Sequence, residues 1–169
     1  MFVNSFVSYP YAIFDRDPNS LANRHALNLY RDARNKSLPN RIIGGLRRQT
    51  RHLLDLQTAE RQTPIFERHY VGIHSVPLCR IRGSEGRFLD FDSEFKPLKA
   101  NSRARWLSVA VARLKGIALP PITLIQIGKD YYVRDGHHRI SVARTLGEEY
   151  IDADVIVQVA DRRTGIKMP

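Results

Sequence analysis

The run Tyr132-Val133-Arg134-Asp135-Gly136-His137-His138-Arg139 closes a β-branched, aromatic stretch and opens an amphipathic one. A strand that halts at Asp-Gly and restarts as a helix brings backbone N–H groups, two imidazoles and a guanidinium to one point, an arrangement suited to an anion. Gly136 permits a tight strand-to-helix turn and lets a ligand approach the backbone closely. Asp135 stands where an N-cap would hold that turn. Arg139 offers a planar fork for phosphate oxygens, whereas His137 and His138, about 100° apart around a helix, do not suit one shared metal. A capped helix start with solvated histidines fits the same residues, and the run alone does not decide between the two.

The flanking segments supply the elements around this turn. Ile122 to Ile127 and Tyr131 to Val133, joined by Gly128-Lys129-Asp130, predict a hairpin. Ser102 to Lys115 predicts a helix with Trp106, Leu107, Ala110, Val111 and Leu114 on one face, stopped by Gly116 and by Pro120-Pro121. Gly72 to Ile81 predicts a strand, Gly83 to Arg87 a glycine-flanked loop, and Ile151 to Val159 a last strand with alternating apolar residues. Asp152 and Asp154 alternate on that strand, as carboxylates on a sheet edge do.

Val76-Pro77-Leu78-Cys79-Arg80-Ile81, then Pro120-Pro121-Ile122-Thr123-Leu124-Ile125, then the Asp-Gly-His-His-Arg turn, then Val142-Ala143-Arg144-Thr145-Leu146-Gly147 resemble, in that order, the ParB/sulfiredoxin superfamily domain over roughly residues 74 to 160. The resemblance implies an α+β fold, a small mixed sheet with packed helices. It also implies that Asp135, Gly136, His137, His138 and Arg139 hold the phosphates of a nucleoside triphosphate or diphosphate such as ATP, ADP or CTP, with Mg2+ as a compatible companion near Asp135 or Glu85. Two family patterns compete for one loop. Free-serine kinases of the superfamily carry a general base at about the place of Glu85, whereas ParB-type members place a phosphate-binding arginine there, which Arg87 matches. A solvated Glu85, paired with Arg87, fits the loop as well.

Departures from the family patterns narrow the expected activity. Sulfiredoxins carry their reactive cysteine in the turn, where this chain has His137; its one thiol, Cys79, lies in an apolar stretch and reads as a small buried residue. Sulfinic-acid reduction is therefore not expected. Partition proteins of the ParB type continue into a DNA-reading region, whereas this chain runs thirty residues beyond Arg139, so a complete partition protein is not expected either.

Composition bounds the rest. The chain has 169 residues, a net charge of +10 and a single cysteine, which excludes an intrachain disulfide framework and points to a reducing, cytoplasmic setting. Residues 1–72 read as an apolar extended segment followed by two basic helices, one from Ser20 to about Ser37 and one from Ile42 to about Glu60. The resemblance makes residues 73–160 the expected nucleotide-binding domain, and 161–169 read as a loose tail. Arg41, Arg47, Arg48 and Arg51 are the candidate contacts to nucleic-acid phosphates, although arginines on a solvated face give the same pattern. The interrupted apolar start, Met1 to Phe14, suits packing on the body or on a second copy in a homodimer better than a membrane span. His25, His52, His69 and His74 have no metal-ligand spacing. Three readings remain: a nucleotide-binding, DNA-associated or regulatory protein, a small-molecule hydroxyl kinase with Glu85 as base, and a scaffold whose turn has lost its ligand. Whether the nucleotide is hydrolysed or its phosphate transferred stays open.

Overall fold

A computed structural model describes residues 20–35, 52–63 and 65–160. Helix α1 (Leu21–Asn35) starts where expected, with the Ser20 hydroxyl accepting from the Asn23 N–H at 3.3 Å. Its buried stripe of Asn23, Ala26, Tyr30 and Ala33 repeats at helical spacing. The second helix departs from the expectation. Among the described residues, His52 bridges to Asp92, Leu54–Asp55 form a short strand β1, and α2 spans only Leu56–Gln62. The reason is local: the Asp55 carboxylate accepts from the Thr58 N–H at 3.1 Å, capping a helix that cannot then begin earlier. Leu53 and Leu56, which look like one helical face, are buried in different cores.

Strand β2 (Ile65–Pro77) starts earlier than expected and ends in a 3-10 turn, Leu78–Arg80, before β3 (Ile81–Ser84). That turn corrects the reading of Cys79. Leu78 points inward and Cys79 is exposed, because Pro77 ends the strand pairing and the chain bends. A second 3-10 turn, Ala100–Ser102, leads into α3 (Arg103–Leu114). The Ile117 N–H returns to the Ala112 carbonyl around Gly116, which has φ 69°, and closes this helix. The hairpin of β4 (Ile122–Ile127) and β5 (Asp130–Asp135) follows, then α4 (His137–Thr145) and β6 (Tyr150–Ala160).

The six strands form one mixed sheet in the order β1-β3-β5-β4-β6-β2, so the architecture is α+β as expected. β1, β3 and β5 run parallel, β4 is antiparallel to β5 and parallel to β6, and β2 pairs antiparallel with β6 along its length. The boundary expected near residue 72 falls inside β2, where a bulge is absorbed by Gly72 at φ 87°. β6 is an interior strand, not an edge, and the Asp154 carboxylate accepts from the Tyr70 hydroxyl at 2.8 Å.

One main core contains Ile81, Phe91, Phe95, Ile122, Leu124, Val133, Ile140 and Val155. A smaller one, of Leu56, Ile125 and Tyr132, includes the first residue of α2. α1, α3 and α4 meet around Trp106, whose ring lies edge-on to Tyr30 at 5.4 Å and whose indole N–H donates to the Ser141 hydroxyl at 2.8 Å. Trp106→Phe keeps most of the apolar area but orphans a buried hydroxyl, so a loss of about 1–2 kcal/mol is expected in urea denaturation. A change under a few tenths would show that the hydrogen bond holds nothing. No helix among the described residues is long and apolar enough to cross a membrane.

Candidate phosphate site

Asp55, Ser84 and Val133 lie in register on three parallel neighbours, so the carboxyl ends of β1, β3 and β5 open at one edge of the sheet. In open sheets that edge is where ligands bind, because loops and helix N-termini converge there. Two segments leave it next to each other: the loop after Ser84 and the turn into α4.

Gly136 makes the turn with φ 102° and ψ 17°, and it is the N-cap of α4 without any side-chain cap. The expectation that Asp135 caps this helix is corrected. Its carboxylate accepts from the Arg139 guanidinium at 2.6 Å instead. The first backbone bond into the helix runs from the Ile140 N–H to the Gly136 carbonyl. The amides of His137, His138 and Arg139 therefore precede the helical ladder.

The histidines are not solvated. His137 and His138 are 3% and 6% exposed. His137 stacks on Phe91 at 5.8 Å, and His138 meets the same ring edge-on at 5.4 Å. The Ser84 hydroxyl lies 2.6 Å from His137 Nε2 and accepts from the Arg87 N–H at 3.3 Å, which leaves its proton for the imidazole. His138 Nδ1 is buried with no hydrogen bond among the described residues. Burial pushes both imidazoles down to about 4, helped by the charge of Arg87 on both and of Arg105 on His138. Both are neutral at pH 7. What they can offer an anion is backbone N–H, not cationic side chains.

Arg87, Arg134 and Arg139 are each engaged with a carboxylate. Arg87 Nε donates to Asp90 at 2.9 Å, and Asp90 also pairs with Lys99. Arg134, not Arg87, pairs with Glu85, through Nε at 2.7 Å and a longer contact at 3.4 Å. Arg139 is fastened to the carbonyls of Pro120 and Pro121 as well as to Asp135, so it ties α4 to the entry of β4. It also borders a cleft of about 250 Å³ walled by Val109, Leu119, Pro121, Val142 and Ile151. That cleft touches neither Gly136 nor the histidines and meets the turn at Arg139.

The structure thus brings together Asp135 to Arg139, Arg87 and Glu85 at one sheet edge. It adds Ser84, Asp90, Phe91 and Arg134, which the sequence reading did not assign. Arg134 stood in the quoted run itself; Phe91 carried no local signal, because its role comes from burial against the histidines. Arg41, Arg47, Arg48 and Arg51 lie outside the described residues, as do the apolar start and the tail. Among the described residues no group of three or more His, Cys, Asp or Glu is placed to hold a metal ion.

No protein-family model matches the chain, and no curated protein matches it. Among solved structures it is similar to sulfiredoxin from Arabidopsis thaliana, at 20% identity and a TM-score of 0.38, over 49% of this chain and 82% of that one. A likeness this loose leaves the site to be argued from this chain's own residues.

Proposed function

We propose that this protein binds the phosphates of a nucleotide at the turn from Asp135 to Arg139, as a regulatory or DNA-associated protein. One observation carries the reading: α4 starts at a left-handed glycine that has no side chain to cap it, Arg87 and Arg105 lie close enough to depress the histidine pKa values, Arg139 is in its first turn and Arg134 stands two residues before the glycine. Backbone amides at a helix start, the positive end of a helix dipole and guanidinium forks all favour an oligophosphate over a neutral ligand. DNA contact through Arg41, Arg47, Arg48 and Arg51 belongs to the same reading. In the kinase alternative Glu85 would act as base; in the unliganded protein Arg134 engages its carboxylate.

Thermal unfolding with ATP, ADP and CTP, with and without Mg2+, tests the proposal. At a ligand concentration of a hundred times Kd, stabilisation of about 2.7 kcal/mol is expected. Arg87→Ala should abolish most of it. Arg139→Ala is a poor control, since it also releases the Pro120 and Pro121 carbonyls. If no nucleotide raises the melting temperature, the proposal fails.

A further inference from the structure

Three arginine–carboxylate pairs stand where β3 and β5 end and α4 begins, and they differ in how firmly they are held. Arg87–Asp90 is built in. Asp90 is only 15% exposed, it also holds Lys99, and its backbone bonds to Arg87 and Leu98 within the loop. Arg139 is anchored by two carbonyls besides its carboxylate. Arg134–Glu85 is the loose one, with side chains 42% and 40% exposed and a second contact stretched to 3.4 Å.

The loop geometry points the same way. The Glu85 backbone N–H donates to the Val133 carbonyl, while its side chain is held by Arg134 alone among the described residues. Gly86 follows it at φ 76° with open space on the side where a Cβ would stand. The Glu85 side chain can therefore turn away from Arg134 without disturbing buried groups. An exposed pair contributes little to stability, so exchanging its anion costs little.

We propose that Glu85 is an internal anion that occupies Arg134 in the unliganded protein and is exchanged for a phosphate oxygen when an oligophosphate binds at the α4 turn. The inference rests on the phosphate-site reading and makes Glu85 a determinant of affinity instead of a base. It also gives the site a preference. A ligand that must displace a carboxylate needs charge to spare after meeting the α4 amides, so pyrophosphate and nucleoside triphosphates compete where a single phosphate does not.

Calorimetric titration of the full chain with ATP and with inorganic pyrophosphate tests the exchange in wild type, Glu85→Gln, Arg134→Ala and the double variant. Glu85→Gln is expected to bind both ligands roughly threefold to fivefold more tightly, the scale of one exposed ion pair. The gain should vanish in the Arg134→Ala background and be absent from Glu67→Gln, which removes a charge elsewhere. Weaker binding by Glu85→Gln would overturn the inference, since Glu85 would then be positioning Arg134. A gain that persists without Arg134 would overturn it too, reducing the effect to net charge. If wild type and all variants fail to bind either ligand, the phosphate site itself is wrong and the inference falls with it.

Discussion

Between pH 6.5 and pH 4 the protein should lose about 3 kcal/mol of stability for each of His137 and His138, by the conversion of 1.36 kcal/mol per pKa unit. Both imidazoles titrate at about 4 in the fold, against 6.5 ordinarily. A depressed histidine pKa means that the folded state holds the neutral ring while the unfolded chain takes up a proton. The stability is fully present above pH 6.5, falls as pH drops through the window and loses nothing more from these groups below about 4. The causes are burial beside Phe91 and the nearby arginines, and the α4 N-terminus adds its own penalty against a cation in the first turn.

Two carboxylates with shifted pKa values bear on the low end of that window. Asp90 is held below the usual carboxylate range by Lys99 and Arg87 despite its partial burial, so its contribution is lost only at lower pH. Burial pushes Asp92 up, which favours the fold as pH falls and opposes the histidine effect. Two depressed imidazoles together represent a large share of the 5–15 kcal/mol that holds a typical domain. Urea midpoints measured from pH 7.5 to 4 should therefore fall steeply, and His138→Leu, which removes one titrating ring whose Nδ1 has no hydrogen bond, should reduce the slope by about half. A flat profile down to pH 4.5 would mean that the rings are not buried as described.

The same contacts explain what could be read from the residues beforehand. The β4–β5 hairpin, α3 and the strand-to-helix turn are announced by local chemistry: Gly128, Gly116, Pro120-Pro121 and Gly136 each act within a few residues. Local chemistry failed where a residue answers to a distant partner. Leu53 and Leu56 have helical spacing, yet β1 is held by Gly83 and Ser84 nearly thirty positions away. Cys79 sits in an apolar run, but Pro77 and the turn to β3 decide its exposure. Asp135 has the position of a cap and the partner of a salt bridge, since a left-handed Gly136 carries the backbone away from the geometry in which it could cap. Ser84, Asp90 and Phe91 gain their roles only when β3 is laid beside β5, because the segment from 85 to 99 is held by tertiary contacts, among them the buried Phe95 at φ 62° under the Arg144 guanidinium.

Gly136→Ala should cost about 4 kcal/mol, from backbone strain and overpacking of 1–3 kcal/mol each. At φ 102° an L-residue is strained whatever its surroundings, and here the space is filled as well. An added Cβ would stand 2.3 Å from Ile122 Cγ2 and 2.7 Å from Ile122 Cβ. Ile122 cannot retreat, being fully buried and paired to Ala153 in β6. Gly86→Ala provides the comparison: φ is also positive, at 76°, but nothing lies within 4 Å, so only the strain of about 1 kcal/mol applies. Urea denaturation of the two variants side by side separates packing from conformation, and a Gly136→Ala loss within 1 kcal/mol of that for Gly86→Ala would show that Ile122 does not brace the turn. The contact that excludes a methyl group is the one that sets α4 against β4, where Arg139 reaches the Pro120 and Pro121 carbonyls. Gly136 is therefore required by the fold before any ligand arrives. A Gly136 variant that loses nucleotide binding has lost the platform, and only substitutions at Arg87, Arg134 and Glu85, whose side chains are partly exposed, can report on the ligand itself.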